Sequence, residues 1–274
     1  VEEFKAVLLG VLQGITEFLP ISSSGHIVFA KEYIGFEIGS LPFTICLHMG
    51  SLFAILFFFR RYTKGMIMAM AKGLMEGRCR EWVASKEGRL LLLIILGTLP
   101  IFCIGPLIKS GVERIFDLPG LVGGLLIVNG MILWVAERYS PPQGRERIGV
   151  REALLIGCAQ VVGTLPGISR SGITIATGML AGIERESAAS YSFLLAILAI
   201  LGANAMEFIG MERTLGVEDG TIFYYLLGGL VAFCVSLLSL RFLFWALKKR
   251  RFSIFSPYCL SVGLLMLVVE WVRT

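Results

Sequence analysis

The sequence predicts an all-α polytopic membrane protein, with six transmembrane helices plus two re-entrant helical hairpins in an inverted repeat. Three observations carry this. The chain of 274 residues is 56% hydrophobic, only 16% charged, and has a mean hydropathy of +0.80, whereas a soluble domain is roughly 45–50% apolar and 25% charged. Apolar runs of membrane-spanning length recur along it. A polar Ser-x-Ser-Gly motif occurs twice, at Ser22–Gly25 and Ser169–Gly172, each time shortly after an apolar run that stops at a proline. The net charge of +5 then reflects loop asymmetry, and nucleic acid is not expected as a partner.

Taken in order, the first element is a hairpin over about residues 4–36. Phe4–Leu19 is apolar and stops at Pro20, a polar turn follows, and Ile27–Ile34 is a second short apolar piece. At 1.5 Å per residue the first piece reaches only about 24 Å, short of the roughly 30 Å hydrocarbon core. A helix that enters, breaks at depth and returns fits this pattern, and such backbone is tolerated only inside protein or beside a water-filled cavity. One kinked spanning helix is the alternative. The first apolar run lacks a small-residue cleavage site, so it is not expected to be a signal peptide.

Phe43–Phe59 is a short span. Tyr62–Lys86 mixes Met with Lys and Arg and reads as an amphipathic piece lying at the interface. Leu90–Ile108 and Leu118–Ala136 are spans, and Pro141, Pro142 and Gly144 mark a linker. Arg151–Leu165, Pro166 and Ile173–Ala181 repeat the hairpin pattern over about residues 152–182. Ser187–Ile209, Ile222–Leu247 and Ile254–Val272 complete the spans. Glu207, Glu212, Glu218 and Asp219 suit an outward-facing loop, and Glu137 and Glu270 at span ends are expected to be solvated. The division is therefore 1–137 for the first repeat, 138–151 for a cytoplasmic linker and 152–274 for the second repeat.

Superimposing Gln13 on Gln160 also aligns Gly10 with Gly157, Ser22 with Ser169, Ser24 with Ser171, Gly25 with Gly172, and Gly35 with Gly182. Most Lys and Arg fall between Phe59 and Leu90, between Ala136 and Glu152, and in the turn Lys248-Lys249-Arg250-Arg251. The positive-inside rule assigns these loops to the cytoplasm. The alternation holds only if 151–183 enters and leaves on one side. Each repeat is then a hairpin plus three crossings, so the second copy is inverted, its hairpin tip meets the first near the midplane, and both termini lie outside. Inverted-repeat transporters share this logic.

The tips gather polar chemistry. Gln13 and Glu17 share a helix face. Serines ahead of an apolar run are natural N-caps, and helix N-termini attract anions. Arg170 at the membrane centre costs at least about 2.5–3.5 kcal/mol unless it has a partner; an anion or Glu17 can supply one. Glu17 and Arg170 are thus either an anion site with its acid or an ion pair across the tips. The serines are either caps or ligands, and His26 is either interior structure or catalytic. His48, in an apolar run, is read as structural. The six cysteines form no CxxC pair and are expected to be small buried hydrophobes.

Gln13-Gly-Ile-Thr-Glu17-Phe-Leu-Pro-Ile-Ser-Ser-Ser-Gly-His26 resembles the (E/Q)xxxE and SSxGH motifs of bacitracin-resistance-type undecaprenyl-diphosphate phosphatases, and Pro166-Gly-Ile-Ser-Arg-Ser-Gly-Ile-Thr174 resembles their PGxSRSxxT motif. Leu47-His-Met-Gly-Ser51, followed by Arg60-Arg61, is similar to the same family. The resemblance covers nearly the whole chain, and Gln13 is the variant without a second carboxylate. It implies hydrolysis of a C55 polyprenyl diphosphate, recycling the lipid carrier of cell-wall synthesis and conferring bacitracin resistance. It also implies Mg²⁺ or Ca²⁺ as cofactor, and a bacterial cytoplasmic membrane location with the site opening to the outer face.

On this reading Arg170, Ser22, Ser24, Gly25, Ser169, Ser171, Gly172 and Thr174 hold phosphate, and Glu17 with Gln13 holds the cation. Ser23 is the chosen nucleophile with His26 as its general base; His26 itself or a metal-activated water are the alternatives. Expected partners are the polyprenyl diphosphate, the bilayer and a second copy in a homodimer. The rival class is an inverted-repeat transporter or lipid flippase for a phosphorylated substrate. The acid, imidazole and hydroxyl set exceeds what anion transport needs.

Overall fold

The computed structural model describes residues 2–34, 41–210 and 221–273; the expectations for Gly35, Glu212, Glu218 and Asp219 lie outside the described residues. Every regular element described is helical, apart from one isolated bridge between Arg145 and Ile183. The order is α1 (Glu2–Thr16), α2 (Ser23–Ile34), α3 (Leu41–Phe58), α4 (Arg60–Met75), α5 (Cys79–Ala84), α6 (Lys86–Phe116), α7 (Pro119–Tyr139), α8 (Val150–Val162), α9 (Arg170–Leu180), α10 (Arg185–Gly210), α11 (Thr221–Lys248) and α12 (Phe255–Arg273).

Among the described residues, α6, α7, α10, α11 and α12 belong to five segments long and apolar enough to cross a membrane. The sixth expected span, α3, qualifies only as a pair with α4, bent by 79° at Phe59. α6 runs to 31 residues, well beyond the apolar run Leu90–Ile108, and accommodates Pro100 and Pro106.

The two short apolar runs become broken helices. α1 has 15 residues and α8 has 13, so each rises only about 20–23 Å. α1 stops four residues before Pro20, whose ring excludes the helical conformation for the residue ahead of it. Both returning helices start earlier than the apolar pattern suggests, at Ser23 and Arg170. Each is capped by the serine before it: Ser22 Oγ accepts from Gly25 N at 3.2 Å and Ser169 Oγ from Gly172 N at 3.1 Å. The caps coincide with the residues matched in the repeat.

Packing follows a paired pattern. α1 lies along α11 and α8 along α6, while α7 packs on α12. A side chain at Gly157 would run into the Gly97 carbonyl, so two bare backbones let α8 and α6 touch, as small residues do between membrane helices.

Polar ties define the two ends of the molecule. Arg145 bonds Glu152 Oε1 at 2.7 Å near the start of α8. Its backbone N–H also donates to Gly182 O at 3.0 Å, just past α9. The start of α8 and the end of α9 therefore lie side by side. Arg250 donates to Pro142 O, and Arg185 pairs with Glu137 at 2.6 Å. The linker, the α9–α10 junction and the basic turn after α11 thus share one end. At the far end of α12, Arg273 pairs with Glu32 of α2 at 3.6 Å.

Two expectations are corrected. Glu137 is not solvated: its carboxylate holds Arg185 and accepts Phe252 N at 2.8 Å, because α7, α10 and the segment before α12 converge there. Of the six cysteines only Cys259 is buried; Cys79, Cys103, Cys158 and Cys234 are exposed and Cys46 is intermediate. Helices apolar all round carry apolar side chains on their outer faces too, alongside Leu99, Phe102 and Leu230.

Candidate active site

The two breaks meet in the interior. After α1, the chain runs through Glu17, the fully buried Phe18, and Pro20 to Ser22. Phe18 anchors this turn by packing edge-on against Phe193 of α10, centroids 5.6 Å apart. Ser22 has φ +69° and Gly167 has φ +98°. The first is a left-handed conformation rare outside glycine, and such outliers gather at functional sites. Ser22 Oγ, besides capping α2, accepts from Gly167 N at 3.2 Å, which ties one break to the other.

Glu17 is the hub. Its Oε1 accepts from Arg170 Nη2 at 2.8 Å; its Oε2 accepts from Ser23 Oγ at 3.1 Å and Gln13 Nε2 at 3.2 Å. The pair is largely buried, with side chains 9% and 19% exposed, so Arg170 has the counter-charge that its depth demands. Thr16, Glu17, Ser22, Ser23, Ser24, Gly163, Ile168, Ser169 and Arg170 line a cavity of about 40 Å³ between the breaks. The N-termini of α2 and α9 both open onto it. Their free N–H groups and positive dipole ends, with the guanidinium, suit an anion. The cavity holds a water or two, so a diphosphate enters only if the breaks part.

Several expected residues sit elsewhere. The Ser23–His26 hydrogen bond is not made. His26 Nδ1 lies 2.8 Å from Ser22 O and Nε2 lies 2.7 Å from Tyr258 Oη of α12. A carbonyl oxygen only accepts, so Nδ1 carries the proton in the neutral ring and Nε2 accepts from the tyrosine. His26, the fourth residue of α2, faces α12 and Tyr258 rather than Ser23. Thr174 is also turned from the cavity: its hydroxyl bonds Arg170 O at 2.7 Å and Ser192 Oγ at 2.6 Å. Ser171 bonds Ser169 Oγ at 3.0 Å and Leu19 O at 3.4 Å, behind the lining. Gly25 and Gly172 contribute N–H groups to the caps, and Gly25 lies against Gly167. His48, half-buried on α3, does not line the cavity.

Two residues escape the sequence reading. Asn129 of α7 is fully buried, donates from Nδ2 to Pro20 O at 2.9 Å and accepts Ser169 N at Oδ1, 3.0 Å. One amide thus spans both breaks. Tyr258, the partner of His26, is the other. A lone polar side chain in a run otherwise apolar, as Asn129 is in Leu118–Ala136, is the available signal, since burial demands it be hydrogen-bonded.

A cation has oxygen donors here. Glu17 Oε2, Ser23 Oγ and the Gln13 amide, whose oxygen can turn in, converge, and a hard cation completes its shell with phosphate oxygens and water. Among the described residues there is no group of three or more His, Cys, Asp or Glu able to hold a metal, and Glu17 is the one carboxylate among these donors.

Residues 6–265 match the family model described as bacitracin resistance protein BacA. The chain belongs to the BacA family. Relatives include the undecaprenyl-diphosphatase of Desulforapulum autotrophicum, 41% identical over 99% of both chains. That of Desulfatibacillum aliphaticivorans is 38% identical over 98% of this chain and 99% of its own. That of the methanogen Methanobrevibacter smithii is 36% identical over 96% and 95%. Both motifs and the cavity between the breaks fall inside the matched span.

Proposed function

We propose that the chain hydrolyses undecaprenyl diphosphate to the monophosphate and inorganic phosphate in the cavity between the two breaks. The observation that carries this is the Glu17–Arg170 pair, flanked by two capped helix N-termini and with Ser23 on the same carboxylate. The terminal phosphate enters between the breaks and takes Arg170 from Glu17. Arg170, Ser169 and the N–H groups of the first turns then stabilise the charge that builds as the anhydride breaks.

With Arg170 on the phosphate, Glu17 is free to act as base. Ser23 Oγ attacks the terminal phosphorus, its proton passes to Glu17 Oε2, and undecaprenyl monophosphate leaves. Water then hydrolyses the seryl phosphate and releases inorganic phosphate. Glu17 thus takes the role the sequence offered to His26, which instead holds the Ser22 carbonyl and so the cap of α2. Mg²⁺ or Ca²⁺ would be held by Gln13 and by the Glu17 oxygen that Arg170 leaves, and would neutralise diphosphate charge when bound.

The helix pairs α1–α2 and α8–α9 are read as re-entrant hairpins of an inverted repeat, entering from opposite ends. Support comes from Arg145 touching both ends of the α8–α9 pair, from Arg273 reaching α2 at the other end, and from the matching pairs α1–α11 and α8–α6. The basic end then faces the cytoplasm of a bacterial cell and the termini lie outside, with the cavity opening outward.

Phosphate release by the purified protein in detergent, with Mg²⁺ or Ca²⁺, tests the reading. No gradient exists there, so release excludes pure transport, whereas no release from any polyprenyl diphosphate would favour the transporter.

A further inference from the structure

We infer that the outward face of α4 is a binding surface for anionic phospholipid, independent of the catalytic cavity. α4 turns 79° away from α3. It buries Met66 and Gly73 on one side, against Trp82 of α5 at Gly73. At 100° per residue, Arg60, Arg61, Lys64, Ile67, Met68, Ala71 and Met75 fall on the opposite side. There Ile67 is 61% and Met75 87% exposed, and Arg61 and Lys64 are exposed as well.

The order along this face is what identifies the ligand. Cations occupy its first turn, apolar side chains follow for two turns, and exposed Lys72 edges the face in the last turn. Arg60, Arg61, Thr63 and Lys64 edge an open cleft whose remaining walls are Ile67 and Met68. An amphiphile with an anionic head and hydrocarbon chains matches both halves. A soluble anion would leave Ile67, Met68 and Met75 in water, and a soluble acidic protein would meet them with no lipid to cover them. Among the described residues no carboxylate pairs with Arg61 or Lys64; Glu87 lies against Gly65 on the flank. The cationic turn adjoins the apolar outer surface of α3, because exposed Phe53 and Phe57 lead down α3 to the bend. Phe57 also stacks under Arg60, whose guanidinium carbon is 4.7 Å from the ring centroid. Basic residues near an anionic leaflet add attraction residue by residue, and an amphipathic helix in the interface adds its buried apolar area.

The test compares the wild type with an Arg61→Gln/Lys64→Gln double variant. Both side chains are exposed and outside the catalytic cavity. Each protein is purified in detergent, incubated with an equimolar mixture of phosphatidylglycerol and phosphatidylcholine, and the retained lipid is measured by native mass spectrometry. The wild type is expected to retain phosphatidylglycerol preferentially, and the double variant to lose about tenfold of that preference. Millimolar inorganic phosphate is expected not to displace the lipid. Phosphate release in detergent and thermal stability are expected to be unchanged, which separates this inference from the proposed activity. Equal phosphatidylglycerol retention by the two proteins overturns it. So does complete displacement by inorganic phosphate, which would make the face a plain anion site. If the double variant is unstable, an Ile67→Gln/Met68→Gln variant is measured in its place. It removes the tail contacts only, and undiminished retention of phosphatidylglycerol by it likewise overturns the inference.

Discussion

Glu17 is asked to do three things: hold Arg170, hold Ser23 and, once phosphate arrives, take a proton. The first is a stability matter. Removing one partner of a buried ion pair leaves an uncompensated charge and costs about 3–5 kcal/mol, whereas removing both can be nearly neutral. Glu17→Ala is therefore expected to lose both phosphate release and thermal stability, and Glu17→Ala/Arg170→Ala to regain stability without activity. A thermal melt in detergent beside the release assay reads both; near-normal turnover by Glu17→Ala or Arg170→Ala would remove them from the chemistry. Ser23 is different, since losing its hydroxyl leaves Glu17 with Arg170 and Gln13. Ser23→Ala is expected to melt like the wild type and to lose at least about 100-fold in rate. Substantial residual activity would point to water as the nucleophile. Tyr258→Phe keeps the ring beside His26 but strips its Nε2 of a donor, and a buried group left unsatisfied costs about 1–3 kcal/mol. Its activity is expected to fall through a loosened Ser22 turn, without the total loss foreseen for Arg170→Ala.

Among the helices, α7 sets the distance between the breaks, because Asn129 bonds Pro20 O on one and Ser169 N on the other. Asn129→Leu keeps the branching at Cγ and abolishes both bonds. It is expected to lower the melting temperature and to raise KM more than it lowers kcat, since the breaks lose their common tie; an unchanged KM would deny α7 this role. Asn129→Asp retains the acceptor for Ser169 N and is expected to fall between. The α7 span was legible, but the tie Asn129 makes was not read from the sequence, for a physical reason. The partners of Asn129 are far off in the chain, and periodicity reports only which face of a helix is apolar. The breaks themselves were legible, because prolines, serines and glycines interrupt apolar runs too short to span. The capping serines were legible on the same ground. The direction of His26 was not: it depends on how the first turn of α2 is rotated toward α12, which a motif does not encode. Thr174, expected among the hydroxyls that hold phosphate, closes onto Ser192 of α10 here, an inter-helix contact that a motif likewise does not encode.

At the scale of the whole molecule, the arrangement makes a claim about sides. Arg145, Arg185 and Arg250 knit the linker, the α9–α10 junction and the turn after α11 into one end. On the proposed topology, loop charge puts that end in the cytoplasm. The basic segment 60–89 should share it, and the α6–α7 junction at Asp117 should lie outside, because α6 crosses once between them. Cys79 is a natural reporter, being exposed on α5, and Asp117→Cys supplies its counterpart. Cys103, Cys158 and Cys234 face lipid, where a thiolate is disfavoured and a charged maleimide does not reach. A membrane-impermeant maleimide is therefore expected to label Cys79 only in inverted vesicles, and Asp117→Cys, in a background with Cys79 replaced by Ser, only in right-side-out ones. If both positions react from the same side, α6 does not cross, the count of three spans per repeat fails, and the second hairpin loses its inversion relative to the first. If they react from opposite sides but in the reversed sense, the inverted repeat survives and the cavity must instead open toward the cytoplasm.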